Sequence, residues 1–301
     1  HATGKGGAAG IGSKGDIRIT GGELTVSAEG SGAAIGGFTD SYSERVDCKS
    51  ITINGNVIQS ISSKDGACIG GAAGGSVGSI TISDAELPLL SSNKILIGWD
   101  ADSPGGKLTI RNCHVASTDE LTTRTDGIRV GSNSELVIEN SEIKLPHFRS
   151  IRVGGNGSIA VRDSDLHTYG IFMDETVQSP NDAKTLKKLE ITNSTVVTND
   201  VLGSTGKFTS VGEIVIHGKA TPIHMKIHGA LEPLYDWFAD ADVVQTGERE
   251  YDVHVVANEH ATLWWALQYA DSHIIEILSP ASLRKMLHDT GEYLASTYAQ
   301  Q

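Results

Sequence analysis

Ile80-Thr81-Ile82-Ser83-Asp84-Ala85-Glu86-Leu87 holds the rule by which most of this chain is built. An apolar-x-apolar triplet ends at Ile82, a corner residue stands two positions on at Asp84, and another aliphatic side chain, Leu87, arrives five positions after the triplet's end. The same word recurs in both directions. Triplets end at Ile19, Ile53, Ile82, Ile110, Ile138, Val161 and Ile191, with Ile216 as an eighth, and the aliphatic residue five further on is Leu24, Ile58, Leu87, Val115, Ile143, Leu166 or Val196. The corner is Gly21, Gly55, Asp84, Asn112, Asn140, Asp163 or Asn193. These residue types accept a left-handed backbone, glycine because it lacks Cβ and Asn or Asp because the short side chain bonds locally.

An alternating pair precedes each triplet: Ala9 and Ile11, Ala33 and Ile35, Ala67 and Ile69, Ile95 and Ile97, Ile128 and Val130, Ile151 and Val153, Ile171 and Met173. Period-2 geometry turns the residue between the members of each pair to the other face. Gly10, Ala34, Cys68, Leu96, Arg129, Arg152 and Phe172 are therefore expected to point outward, and each repeat holds three short strands. Inward Ala giving way to Ile and Val predicts a cross-section that widens along the axis. Steps between triplets of several tens of residues suit a solenoid. Close two-residue turns such as Asn54-Gly55 do not recur, which argues against antiparallel hairpins. The expected fold is mainly β: a right-handed parallel β-helix over residues 1–218, its coils stacked about 4.8 Å apart.

After Lys219 the grammar changes. Glycine nearly vanishes, Trp and Tyr appear, and 3.6-residue periodicity replaces the coil word. Strands are expected over 222–228, 243–244, 251–256 and 274–278, and helices over 232–238, 261–269 and 282–298, with Pro233 in a first turn. The order β-α-β-β-α-β-α predicts a small α+β ferredoxin-like module over residues 219–301. Trp237, Trp264, Trp265 and Tyr269 are expected in its core. Residues 220–301 also resemble the C-terminal extension of bacterial WYL-domain transcription regulators. The likeness rests on Pro222-Ile223-His224-Met225-Lys226-Ile227, on Leu263-Trp264-Trp265-Ala266-Leu267, and on Ile275-Glu276-Ile277-Leu278-Ser279-Pro280 followed by Leu283-Arg284 and Tyr298. It implies a role in self-association or ligand-dependent control. No helix-turn-helix and no Trp-Tyr-Leu core domain accompany it. The solenoid looks like the Gly-Ala-Ile-Gly-rich β-helices of bacterial surface and carbohydrate-binding proteins, through Gly7-Ala8-Ala9-Gly10-Ile11-Gly12 and its counterparts at Gly32 to Gly36 and Gly66 to Gly70.

A formal charge of -13 over 301 residues, with scattered Lys and Arg, argues against nucleic-acid wrapping. No stretch is apolar for long enough to span a bilayer. Cys48, Cys68 and Cys113 are odd in number and lack C-x-x-C spacing, so no disulfide framework or zinc site is expected. A start at His1, without Met or a signal-peptide core, fits either a removed leader or a fragment of a longer chain, and the expected location is extracellular or at the cell surface in the first case and otherwise cytoplasmic.

The triplet strands present Thr52, Thr81 and Thr109 outward, a hydroxyl ladder with no acid stack. The preceding strands present Arg129 and Arg152 from adjacent coils, where like charges need an anion over them. That anion is either a ligand, such as a sulfate or a uronate, or a loop carboxylate such as Asp126 or Glu175. Phe172 beside them, and Trp99 with Asp100 and Asp102 in a long loop, have the composition for stacking on sugar rings and bonding hydroxyls. Asp100 and Asp102 alternate as calcium ligands do but lack the closing Glu. His224 and His228 on one strand lie about 13 Å apart, too far to share an ion. No catalytic residue, metal site or cofactor motif is expected. The expected function is that of a non-catalytic bacterial binding or scaffold β-helix. It would contact carbohydrate or a small anionic ligand through Arg129, Arg152, Phe172, Trp99, Asp100 and Asp102, with a C-terminal module for capping or homo-oligomerisation. The alternatives are a polysaccharide lyase or glycoside hydrolase and a ligand-sensing regulator.

Overall fold

The computed structural model describes residues 1–39, 44–55, 57–99, 106–117, 125–145, 149–173, 184–198, 202–203, 209–218, 220–270 and 274–298. The chain forms two compact units, His1–His217 and Gly218–Gln301.

The first unit is almost entirely β. Successive repeats feed three large sheets in turn, one of them giving both Glu86–Leu87 and Leu90–Ser92 to the same sheet, and within each of these sheets the neighbours are parallel. The triplet ends form one continuous register row, Ile19, Ile53, Ile82, Ile110, Ile138, Val161, Ile191 and Ile216. Ile53, Ile82, Ile110, Ile138 and Val161 in that row are fully buried, each contributing about 1.5–3 kcal/mol by leaving water. Ile216 in the last repeat stays exposed, as does Ile214.

All seven corner residues carry positive φ, from 44° at Asn140 to 79° at Gly21. Their side chains also bond from repeat to repeat. Asn112 Nδ2 donates to Asp84 Oδ1 at 2.8 Å, and Asn140 Nδ2 donates to Asn112 Oδ1 at 2.9 Å. The Asn or Asp that permits the turn thus also ties it to its neighbour.

Strict alternation fails in the pairs that precede the triplets. Ala34 with Ile35, Cys68 with Ile69, and Leu96 with Ile97 are consecutive residues that both belong to the core. The expected outward positions of Ala34, Cys68 and Leu96 are therefore corrected. Gly36, Gly70 and Gly98 follow these pairs with φ of 135°, 146° and 124°, a backbone that residues with a Cβ rarely adopt.

The second unit holds an antiparallel sheet in the order Asp242–Gly247, Glu250–Asn258, Ala220–His228, Ile275–Ser279. One face packs Ile223, Met225, Ile227, Val253, Val255 and Ile277 against Leu234, Leu263, Trp265, Ala266 and Leu283 from the helices Glu232–Tyr235, Glu259–Gln268 and Ala281–Tyr298. Asn258 caps the middle helix by accepting from Ala261 N at 3.0 Å, as a short polar side chain at that position should. Trp265 is buried and donates through Nε1 to Pro233 O, while Trp264 and Trp237 are exposed. The helix therefore buries the face carrying Leu263 and Ala266, and the expectation of core Trp237 and Trp264 is corrected. No helix among the described residues is long and apolar enough to cross a membrane.

Candidate functional site

Strands Thr125–Val130 and Arg149–Val153 bring Arg129 and Arg152 opposite each other on neighbouring repeats. Two guanidinium groups one strand spacing apart repel. The bulge between Asp126 and Ile128 supplies the remedy, because the extra residue brings the Asp126 carboxylate back toward the arginines. Asp126 Oδ2 lies 3.3 Å from Arg129 Nη1, and Asp126 Oδ1 lies 3.0 Å from Arg152 Nε. Asp126 is buried and both arginine side chains are largely covered, so this triad interacts more strongly than a surface pair would.

Beside the triad opens a cavity of about 300 Å³. Its wall combines Arg129, Arg152 and Lys94 with Asp126, Asp65 and the Asn93 amide, and its floor includes Ala67 and Ile95. Ala67, Ile95 and Asp126 are register partners on three successive strands, so one face of the sheet builds the floor and positions the triad. Cations outnumber carboxylates among these residues three to two. The arrangement suits a small ligand carrying a carboxylate or sulfate together with hydroxyls, since guanidinium and ammonium groups donate to the anion and Asp65 and Asn93 accept from O–H.

The other expected site residues fare differently. Trp99 is fully buried, with its backbone N–H bonded to Arg129 O at 2.9 Å, and it cannot stack on a sugar. Its indole Nε1 has no hydrogen-bond partner among the described residues. Phe172 occupies the next rung, in register with Arg152, while its side chain lies outside the described residues, as do Asp100, Asp102 and Glu175. Cys68 is buried and donates to Ser91 O at 2.9 Å. Burial pushes the Cys48 and Cys113 thiols above their ordinary range, and none of the three cysteines is in a disulfide.

One row escaped the sequence reading, which inspected two strands of each repeat and not the third. Glu86, His114, Glu142 and Asp165 lie in register on successive repeats. Glu142 binds His114 Nδ1 at 2.8 Å and also pairs with Lys144. Lys144, then His114, hold its carboxyl below the ordinary range. A glycosidase acid needs the opposite, a carboxyl kept protonated. On the remaining sheet, charges alternate along Arg111, Glu139, Arg162, Glu190 and Lys188 in a chain of ion pairs, a surface built for stability.

Compared with known proteins, the chain matches no family model, no curated protein and no solved structure.

Proposed function

We propose that the first unit winds as a right-handed parallel β-helix and serves as a rigid, non-catalytic scaffold that binds an anionic carbohydrate or a similar small polyhydroxy acid. The observation that carries this reading is the cavity lined by Lys94, Arg129 and Arg152, beside which one buried carboxylate, Asp126, pairs with both arginines. Three large parallel sheets fed in turn by successive repeats support the β-helix. Against a lyase or hydrolase stands the acid row on the neighbouring sheet, whose central carboxylate, Glu142, is engaged by His114 and Lys144.

The second unit reads as a ferredoxin-like module of the kind that extends WYL-domain regulators, used here for capping or self-association. Its strand order, with the first and third strands central, supports the ferredoxin-like plan. Capping would serve a physical need, because an uncovered solenoid end leaves apolar surface and a sheet edge in water.

The test is an array of uronate-containing and sulfated glycans probed with the full chain, with Arg152→Ala and Lys94→Ala, and with Arg111→Ala from the opposite sheet as a control. The expected result is binding that both cavity variants weaken and Arg111→Ala leaves intact. Equal binding by all four proteins, or none by any, removes the site.

A further inference from the structure

Within the second unit, antiparallel pairing assembles a cluster that no single strand contains. His224 and His254 are register partners on adjacent strands, and Asp252, two residues before His254, lies on the same sheet face. That face is opposite the core, since Ile223, Met225, Val253 and Val255 point the other way into it. His224 Nε2 is 2.5 Å from Asp252 Oδ1, and His254 Nε2 is 3.5 Å from the same oxygen. The two imidazoles stack with centroids 4.3 Å apart and planes 9° from parallel. One donor atom from each of the three residues lies within 4.8 Å of the other two.

We propose that His224, Asp252 and His254 bind a divalent transition-metal ion of the zinc class. Two imidazole nitrogens and one carboxylate oxygen are the donor set that suits zinc, nickel, copper or iron, whereas calcium and magnesium require more oxygens. Bonds of about 2.0–2.2 Å place tetrahedral donors roughly 3.3 Å apart, inside the range the three atoms already span. Stacked rings direct their lone pairs side by side, so the imidazoles must splay slightly to converge on one ion. Their side chains are 31% and 57% exposed and have room to do so. Lys226 stands opposite Asp252, so the site relies on direct coordination and not on a negative field. Asp242 is the register partner of His254 on the edge strand but stands outside the three-residue cluster. A remaining position faces solvent, open to water or to a donor from another molecule.

The experiment uses the full chain stripped with chelator, titrated with Zn²⁺ by calorimetry and with Co²⁺ by visible absorption, whose ligand-field bands report nitrogen coordination in a low-symmetry site. The expected result is one ion per chain, an affinity loss of at least about tenfold in His224→Gln and in His254→Gln, and no change in His228→Gln, which lies four residues from His224 and outside the cluster. Should His224→Gln fail to fold, the exposed His254→Gln decides alone, with circular dichroism confirming its structure. Binding that His254→Gln leaves unchanged, or no saturable binding up to about millimolar metal, overturns the proposal.

Discussion

Ile97 stands opposite Ile128 on the next strand, and Gly98 opposite Arg129. The pairing expected from the sequence matched Ile97 with Val130, so the chain is displaced by two residues between these repeats. The displacement decides what Trp99 does, because it moves that side chain from a loop onto the row of inward residues that continues through Val130 and Val153. Trp99→Ala is expected to lower stability by about 3–5 kcal/mol, the cost of emptying a large core site. Trp99→Phe should cost less, since the indole N–H gives up no bond among the described residues. Denaturant unfolding measures both. Loss of glycan binding with unchanged stability would contradict the burial.

Asp126 neutralises two cations at once, so its removal is felt twice. Asp126→Asn keeps the volume and deletes the charge, leaving Arg129 and Arg152 to repel across one strand spacing. The expected loss is about 3 kcal/mol, typical of a covered ion pair stripped of one partner. Adding Arg152→Met should return part of that loss, a coupling on the order of 1 kcal/mol in a double-mutant cycle. Strictly additive effects would show that the triad is not a unit.

What could be read from the sequence divides along the line between local and non-local causes. The corner residues Asp84, Asn112, Asn140, Asp163 and Asn193 declare themselves because left-handed backbone is a property of the residue in place, and their positive φ follows. The Ile and Val rows were legible for the same reason, as period and turn lie within one repeat. The register between repeats was not: Ile97, Ile128 and Val130 are equally apolar, so the hydrophobic pattern does not choose between Ile128 and Val130 as the partner of Ile97. Arg129 and Arg152 were found together since the local word fixed both, and Asp126 was named as one of two carboxylates able to serve them. The His224–His254 contact lay beyond reach because it depends on which strands pair, and the interval to His228 on the same strand pointed away from it.

Gly98 also allows clash to be separated from conformation. A Cβ there would lie 1.7 Å from Arg129 O, with φ at 124°. Gly22 has a similar φ of 109°, and a Cβ built on it meets nothing within 4 Å. Gly22→Ala should therefore cost only the backbone term, about 1–2 kcal/mol, whereas Gly98→Ala should cost several kcal/mol more or prevent folding, because the strand spacing cannot yield locally. Midpoints of thermal unfolding for the two variants provide the comparison, and equal losses would mean that the neighbouring strand gives way.

Glu190 links the ion-pair chain to pH. Burial disfavours its charge, but Arg162 at 3.3 Å and Lys188 at 3.5 Å outweigh that and hold its carboxyl below the ordinary value of 4.5. A carboxylate whose folded-state pKa is depressed contributes stability that is fully present above its unfolded value and disappears as pH falls through the folded one. Glu190→Gln should accordingly cost roughly 0.5–1 kcal/mol at neutral pH, the scale of a partly exposed pair. The difference from wild type should close below pH 4.5 as the wild-type carboxyl takes up its proton. Added salt should shrink the neutral-pH difference as well, because screening weakens both arms of the pair. Urea midpoints at neutral and acid pH, with and without salt, report this directly, and a gap that persists at low pH would assign the loss to packing of the side chain instead of its charge.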